Sequence, residues 1–210
     1  MKKANRITSV LLMLTFSFSV LAAPREIVII RHADKWVQPQ TGPFLSPKGQ
    51  LRAERFSVYY LKYFPKPDYI FATKPGDAAH PGSSQSVRPL QTVAPLANQL
   101  AYNSSTGFDV ATPYYNEQYG KLAKMLLTNA KYNGKMILIC WHHGHANRLA
   151  TALGVNEHLK KWASDNFDMV YVLKYNPNGS LASFQILENQ YPVTENPSWE
   201  KLSKRAEVSQ

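Results

Sequence analysis

The run Glu26-Ile27-Val28-Ile29-Ile30-Arg31-His32-Ala33-Asp34 constrains this chain more than any other stretch. Ile27 to Ile30 are consecutive, apolar and β-branched. No polar residue alternates with them, so a strand built from them has no solvent face. Such a strand is buried on both sides, as in a parallel sheet covered by helices. It ends abruptly in Arg31-His32. In open α/β sheets, ligands bind beyond the carboxyl ends of the strands. Arg31 offers a planar fork of donors to an oxyanion. His32 offers an imidazole nitrogen that can attack or carry a proton. The same pair is also what the first polar residues of an ordinary loop look like, so the rest of the chain has to discriminate.

Apolar residues make up 44% of the 210 positions and charged residues 18%, which describes one globular domain and not a disordered chain. The first 22 residues stand apart. Lys2, Lys3 and Arg6 precede a mostly apolar stretch from Ile7 to Leu21, too short for a comfortable membrane span. Val20-Leu21-Ala22, followed by Ala23, has the small-residue character of a cleavage site. The expectation is a secretory signal peptide over 1–22 and a single domain over 23–210. The mature protein is then periplasmic or secreted, with no stable membrane insertion after cleavage. The formal net charge of +10 falls to +7 when Lys2, Lys3 and Arg6 are removed. That excess favours anionic ligands. There is no nucleic-acid recognition motif and no long basic run, so nucleic acid is not an expected partner. The one cysteine, Cys140, excludes an intrachain disulfide and sits in the apolar run Met136 to Trp141 as a small core residue.

The remaining pattern alternates strand and helix. Ser46-Pro47 opens a helix by capping and by proline at its first position. Leu51, Phe56, Tyr59, Tyr60 and Tyr63 continue it at helical spacing, and Pro65 and Pro67 stop it. A short strand at Tyr69 to Thr73 is followed by a polar loop, Lys74 to Ser86, whose His80 reads as a solvated loop histidine. Arg88-Pro89 leads a helix through Thr92, Leu96 and Leu100. A further strand is expected within Phe108 to Tyr115. An amphipathic helix follows over Tyr119 to Ala130, with Asn133-Gly134 ending it. The strand Met136 to Cys140 ends in Trp141-His142-His143-Gly144-His145, and a helix is expected from Ala146 to Leu153. Asp168 to Tyr175 and Leu181 to Leu187 form a hairpin around Asn176-Pro177-Asn178-Gly179. The tail from Glu195 is polar apart from Trp199. The alternation predicts a three-layer α/β/α sandwich with a mostly parallel central sheet.

Polar groups recur at the strand ends: Arg31 and His32, then Arg88, Glu117, and His142, His143 and His145. Two arginines and two histidines on one edge suit a phosphoryl group, whose oxygens need several donors at once. One histidine can attack phosphorus in line, and a protonated carboxyl can give its proton to the leaving oxygen.

These residues carry a resemblance to the histidine phosphatase superfamily, also called phosphoglycerate-mutase-like. Arg31-His32-Ala33 is similar to its Arg-His-Gly/Ala signature. Leu45-Ser46-Pro47-Lys48-Gly49 is similar to its Leu-Ser-x-x-Gly helix start. Ser86-Val87-Arg88-Pro89-Leu90-Gln91-Thr92 is similar to its Ser-x-Arg-Pro-x-x-Thr motif, and a late strand-end histidine is present. The four motifs occur in order over residues 26 to about 175.

The resemblance implies a metal-independent phosphatase with no cofactor. His32 is then the nucleophile that forms a phosphohistidine, and Arg31, Arg88 and the late histidine hold the phosphoryl group. His-Gly at this point of the family favours His143 over its neighbour His142. His145 joins the pocket if the backbone stays extended there. Asn116-Glu117-Gln118-Tyr119-Gly120 is similar to the glutamate segment of the phosphoglycerate-mutase branch, which makes Glu117 the expected proton donor and Asp34 its rival. A short, exported chain favours hydrolysis over mutase chemistry. The resemblance extends loosely to exported bacterial phosphatases of lipopolysaccharide heptose phosphate. The expected partners are therefore a phosphorylated small molecule or an envelope glycolipid phosphate. Two other readings compete: a metal site built on His142, His143 and His145, and a phosphate-binding protein of this fold without catalysis.

Overall fold

The structure is a computed structural model and describes residues 23–39 and 41–191. The expected signal peptide and the tail with Trp199 lie outside the described residues. The elements in chain order are β1 (Glu26–Arg31), α1 (Pro47–Tyr63), β2 (Tyr69–Ala72), α2 (Arg88–Tyr102), β3 (Val110–Ala111), α3 (Tyr119–Thr128), β4 (Met136–Trp141), α4 (His143–Ala152), β5 (Val170–Tyr175) and β6 (Leu181–Leu187).

The strands form one sheet in the order β3-β2-β4-β1-β5-β6. β1 pairs in parallel with β4, β4 with β2, and β2 with β3. β5 runs antiparallel to β1, and β6 antiparallel to β5, as the hairpin pattern predicts. Every residue of β1 and of β4 is buried. Successive strand side chains point to opposite faces, so each strand feeds two cores. Ile27, Ile29, Ile137, Ile139 and Trp141 pack with Leu122, Leu126, Leu149 and Trp162 on the face covered by α3 and α4. Val28, Ile30, Leu138 and Cys140 pack with Phe56, Tyr60, Val93 and Leu96 on the face covered by α1 and α2. This is the expected α/β/α sandwich.

Two elements differ from the sequence reading. β3 is only two residues long. It is an edge strand followed by Pro113, which has no N–H to extend a ladder. The last parallel strand runs directly into its helix, so α4 begins at His143 and not at Ala146. Among the described residues, no helix is long and apolar enough to cross a membrane.

Candidate active site

Three local devices present His32 at the rim of the sheet. The register pairs Arg31 with Trp141, and the His32 amide donates to the Trp141 carbonyl at 3.2 Å. The chain just beyond β1 is held from the other side by α2. Thr92, fully buried, accepts the Ala33 amide proton at 2.8 Å and donates to the Arg88 carbonyl at 2.8 Å. The third device is the start of α1. The Asp34 carbonyl accepts from the Ser46 amide at 3.0 Å and from its hydroxyl at 3.2 Å, while Ser46 Oγ caps the Gly49 amide at 3.1 Å. A Cβ at position 49 would lie 2.2 Å from that carbonyl oxygen, so only glycine fits. The Leu-Ser-x-x-Gly and Arg-Pro-x-x-Thr patterns are thus clamps on the chain that follows the histidine.

The geometry also sets the tautomer of His32. Nδ1 lies 2.8 Å from the Ala33 carbonyl oxygen. A carbonyl can only accept, so Nδ1 carries the hydrogen and a neutral ring has its lone pair on Nε2. The ring is neutral. Burial pushes its pKa well below the usual histidine value, and His142, Arg31 and Arg88 push in the same direction.

Arg31 is fully buried. Its Nη1 donates to the carbonyls of Ala163, Ser164 and Asn166 at 3.2, 2.9 and 2.9 Å. Its guanidinium carbon stands 4.0 Å from the centre of the Phe167 ring. Nε and Nη2 are buried with no hydrogen-bond partner. These two nitrogens form one edge of the fork, the edge that grips two oxygens of a phosphate side by side. Burial lowers the Arg31 pKa to about 10, and the charge of Arg88 adds to the effect; the group remains a cation at neutral pH. Arg88 is half-buried, donates from Nη1 to the Gly42 carbonyl at 2.7 Å, and also keeps a buried Nε without a partner.

The late histidine whose ring meets that of His32 is His142, while His143 also keeps a buried Nδ1 without a partner. The rings of His32 and His142 lie 5.1 Å apart, edge to face. Residues paired across parallel strands put neighbouring side chains on the same side. With Arg31 opposite Trp141, the next position on each strand is a histidine. His142 is buried, and its Nε2 has no partner. Burial lowers its pKa to about 3, and Arg88, His143, Arg31 and His145 add to the shift. His143 is the first residue of α4, half-buried, with a pKa lowered to about 4 by burial and by Arg31, Lys35 and Lys161. The expected pairing of His143 with His145 required an extended backbone. The helix begins there instead, and His145, in its first turn, pairs with Asn116. Among the described residues, no three His, Cys, Asp or Glu side chains are grouped so as to hold a metal ion, and the three late histidines are not one ligand set.

The two candidate acids have different surroundings. Asp34 is buried, and Arg52 grips both of its oxygens, Nε at 2.5 Å and Nη2 at 3.3 Å. Its carboxylate is occupied in an ion pair. Glu117 lies in a short turn before α3 and is exposed. It accepts a hydrogen bond from the Ser83 hydroxyl, which lowers its pKa and favours the carboxylate. Glu117 lines an open cleft of about 660 Å³ with His80, Gly82, Ser83, Ser84, Asn116 and His145. The cleft is tied to β4. Trp141 Nε1 donates to the Asn116 carbonyl at 3.1 Å, and the Asn116 amide donates to His145 Nδ1 at 2.9 Å.

His80 is the residue that sequence reasoning passed over. Its Nδ1 lies 2.8 Å from Asp77 Oδ1 and 2.7 Å from the Tyr115 hydroxyl. The only sequence signal for it was Asp77 three residues earlier, and that pairing becomes legible once the loop is seen folded onto Tyr115.

No family model and no curated protein matches this chain by sequence. Solved structures do match by shape. The protein histidine phosphatase SixA complexed with tungstate is 14% identical with a TM-score of 0.55, over 78% of this chain and 96% of that one. A mycobacterial glucosyl-3-phosphoglycerate phosphatase with inorganic phosphate is 12% identical with a TM-score of 0.47, over 78% and 95%. The ecdysone phosphate phosphatase from Bombix mori with tungstate is 9% identical with a TM-score of 0.48, over 85% and 99%. The sheet, its flanking helices and the likeness to the first of these structures together show that the chain has the three-layer α/β/α fold seen in the histidine phosphatases.

Proposed function

We propose that this protein is a metal-independent phosphatase that hydrolyses a phosphate monoester through a phosphohistidine on His32. One observation carries the reading. Near the His32 ring stand Arg31, Arg88 and His142, and Arg31 Nε, Arg31 Nη2, Arg88 Nε and His142 Nε2 are all buried and all without hydrogen-bond partners. Buried polar groups are rarely left so. Four such nitrogens beside a nucleophile fit the oxygens of a phosphoryl group, and they stabilise the charge that develops as phosphorus is attacked.

In the first step His32 Nε2 attacks phosphorus and the ester P–O bond breaks. In the second, water attacks the phosphohistidine, its proton passes to the Glu117 carboxylate, and the N–P bond breaks to release phosphate. The ionised state of Glu117 supports a base there, where the resemblance suggested an acid. The cleft that Glu117 and His145 line, tied to β4 through Asn116 and Trp141, is lined almost wholly by polar side chains and suits a leaving group that bears hydroxyls. That supports a phosphorylated small molecule or an envelope glycolipid phosphate as substrate. Export is part of the proposal, with cleavage after Ala22. Ala23 is already packed in the core and its carbonyl accepts from the Gly134 amide at 2.9 Å, which supports a domain that starts there.

The test is turnover of a chromogenic phosphate ester and acid-labile, alkali-stable labelling of the protein by phosphate from the substrate. His32→Ala is expected to abolish the label and lower turnover at least about 1,000-fold. Equal rates for His32→Ala and wild type would refute the assignment. Fractionation and N-terminal sequencing of the mature protein test the export.

A further inference from the structure

The proposed reaction leaves one proton unassigned, the one that the departing ester oxygen needs. Asp34 is engaged by Arg52, and Glu117, which accepts a hydrogen bond from the Ser83 hydroxyl, is held toward the carboxylate form and has no proton to give. An alkoxide leaving without a proton is a poor leaving group, so an acid is required at the leaving-group side. We propose that His80, oriented by Asp77 and Tyr115, is that acid and therefore a catalytic residue. The inference rests on the phosphatase reading above.

His80 belongs to the Lys74–Ser86 loop, which is stitched and not loose. The Lys74 amide donates to the Tyr114 carbonyl at 2.7 Å, and the Gly76 amide to the Ser84 carbonyl at 2.7 Å. A Cβ at Gly76 would lie 2.5 Å from the Ser83 carbonyl oxygen, so glycine lets the two arms of the loop close on each other. Within the loop the His80 amide donates to the Asp77 carbonyl at 2.9 Å, and the Ser83 amide to the His80 carbonyl at 3.0 Å. Tyr115, buried, reaches up from the segment after β3. Its hydroxyl donates to Asp77 Oδ2 at 2.9 Å, and its ring lies 4.3 Å from that of His80. Hydrogen bonds from His80 and Tyr115 lower the Asp77 pKa to about 2. An ionised carboxylate can only accept, so His80 Nδ1 carries a hydrogen and the other nitrogen, Nε2, is the one available to the cleft. This is the arrangement by which a carboxylate fixes a catalytic imidazole. The same cleft holds Glu117, and its floor, Asn116, is bonded to Trp141, the neighbour of His142.

The step balances. His32 Nε2 forms a bond to phosphorus, the P–O ester bond breaks with its electron pair on oxygen, and that oxygen takes the proton from Nε2 of the His80 imidazolium. The alcohol leaves neutral, and the half-exposed ring regains its proton from bulk water.

The test compares two esters with the full chain. p-Nitrophenolate departs without a proton, whereas the alcohol of glycerol phosphate requires one. kcat/KM reports the step in which the leaving group departs. His80→Gln is expected to lower kcat/KM about 100-fold more on glycerol phosphate than on p-nitrophenyl phosphate. Asp77→Asn gives the same selective loss, smaller in size. Glu117→Gln, acting in the second step, lowers kcat on both esters alike. An equal loss on both esters for His80→Gln, no loss on either, or a selective loss for Glu117→Gln overturns the assignment while leaving the phosphatase reading intact. Wild-type protein that turns over neither ester overturns both.

Discussion

Replacing Thr92 by valine tests the clamp that holds the nucleophile. The two side chains have nearly the same shape, so the fully buried site is not emptied. What is lost is the acceptor for the Ala33 amide and the donor to the Arg88 carbonyl. The carbonyl retains its helix bond, but the Ala33 amide is left buried and unpaired. Leaving one buried donor unsatisfied costs about 1–3 kcal/mol. In a domain of this size about 2 kcal/mol lowers the melting temperature by about 4–8 °C. The Ala33 carbonyl on the same residue holds His32 Nδ1, so a loosened peptide also misaims the ring, and kcat/KM should fall about 10-fold. Thr92→Ser is the control. It keeps the hydroxyl and deletes one methyl, for about 1 kcal/mol, and leaves kcat/KM near that of wild type. Calorimetry and steady-state kinetics on the two variants decide the matter. A valine variant as stable and as active as the serine variant would show that this hydrogen bond does not position His32.

The two adjacent histidines should separate cleanly. His142→Asn is expected to lower kcat about 100-fold or more, as loss of a donor to the developing charge does, while His143→Asn stays within about five-fold; the reverse order would return the pocket to His143. Acid should destabilise the fold through the same residues. His142 and His143 are neutral in the folded protein, with pKa values lowered to about 3 and about 4 from 6.5. Between about pH 6.5 and 4 the unfolded chain therefore binds more protons, so stability is full above 6.5 and falls as pH drops through this window. Orthophosphate places negative charge among these rings and should flatten the fall, which denaturant midpoints at pH 5 and pH 7.5 with and without phosphate will measure. A fall in stability that is the same in His142→Asn would assign it to other groups.

Much of the architecture follows from local pattern alone. Four β-branched residues with no polar break cannot form a half-exposed strand, so Ile27–Ile30 by itself dictates a sheet covered on both faces. Ser46-Pro47 and Asn176-Pro177-Asn178-Gly179 mark a helix start and a hairpin because proline, serine and glycine act through their own backbone geometry. Arg31, His32 and Arg88 were legible as candidate site residues because they stand at the ends of such elements. The choice between His142 and His143 was not legible, since it depends on the register of β4 against β1, and register is a property of two strands. Nor was the difference between Asp34 and Glu117. Each is a carboxylate in the sequence, and only the approach of Arg52 from α1 and of Ser83 from a distant loop separates a buried ion pair from an exposed carboxylate held by one hydroxyl. His80 was hidden for the same reason: Tyr115 lies 35 residues away along the chain. The sequence by itself determined which residues could carry the chemistry and which elements they end. The tertiary structure decided which of them face one another, because hydrogen bonds, desolvation and Coulomb forces act over a few ångströms of space, whatever the separation along the chain.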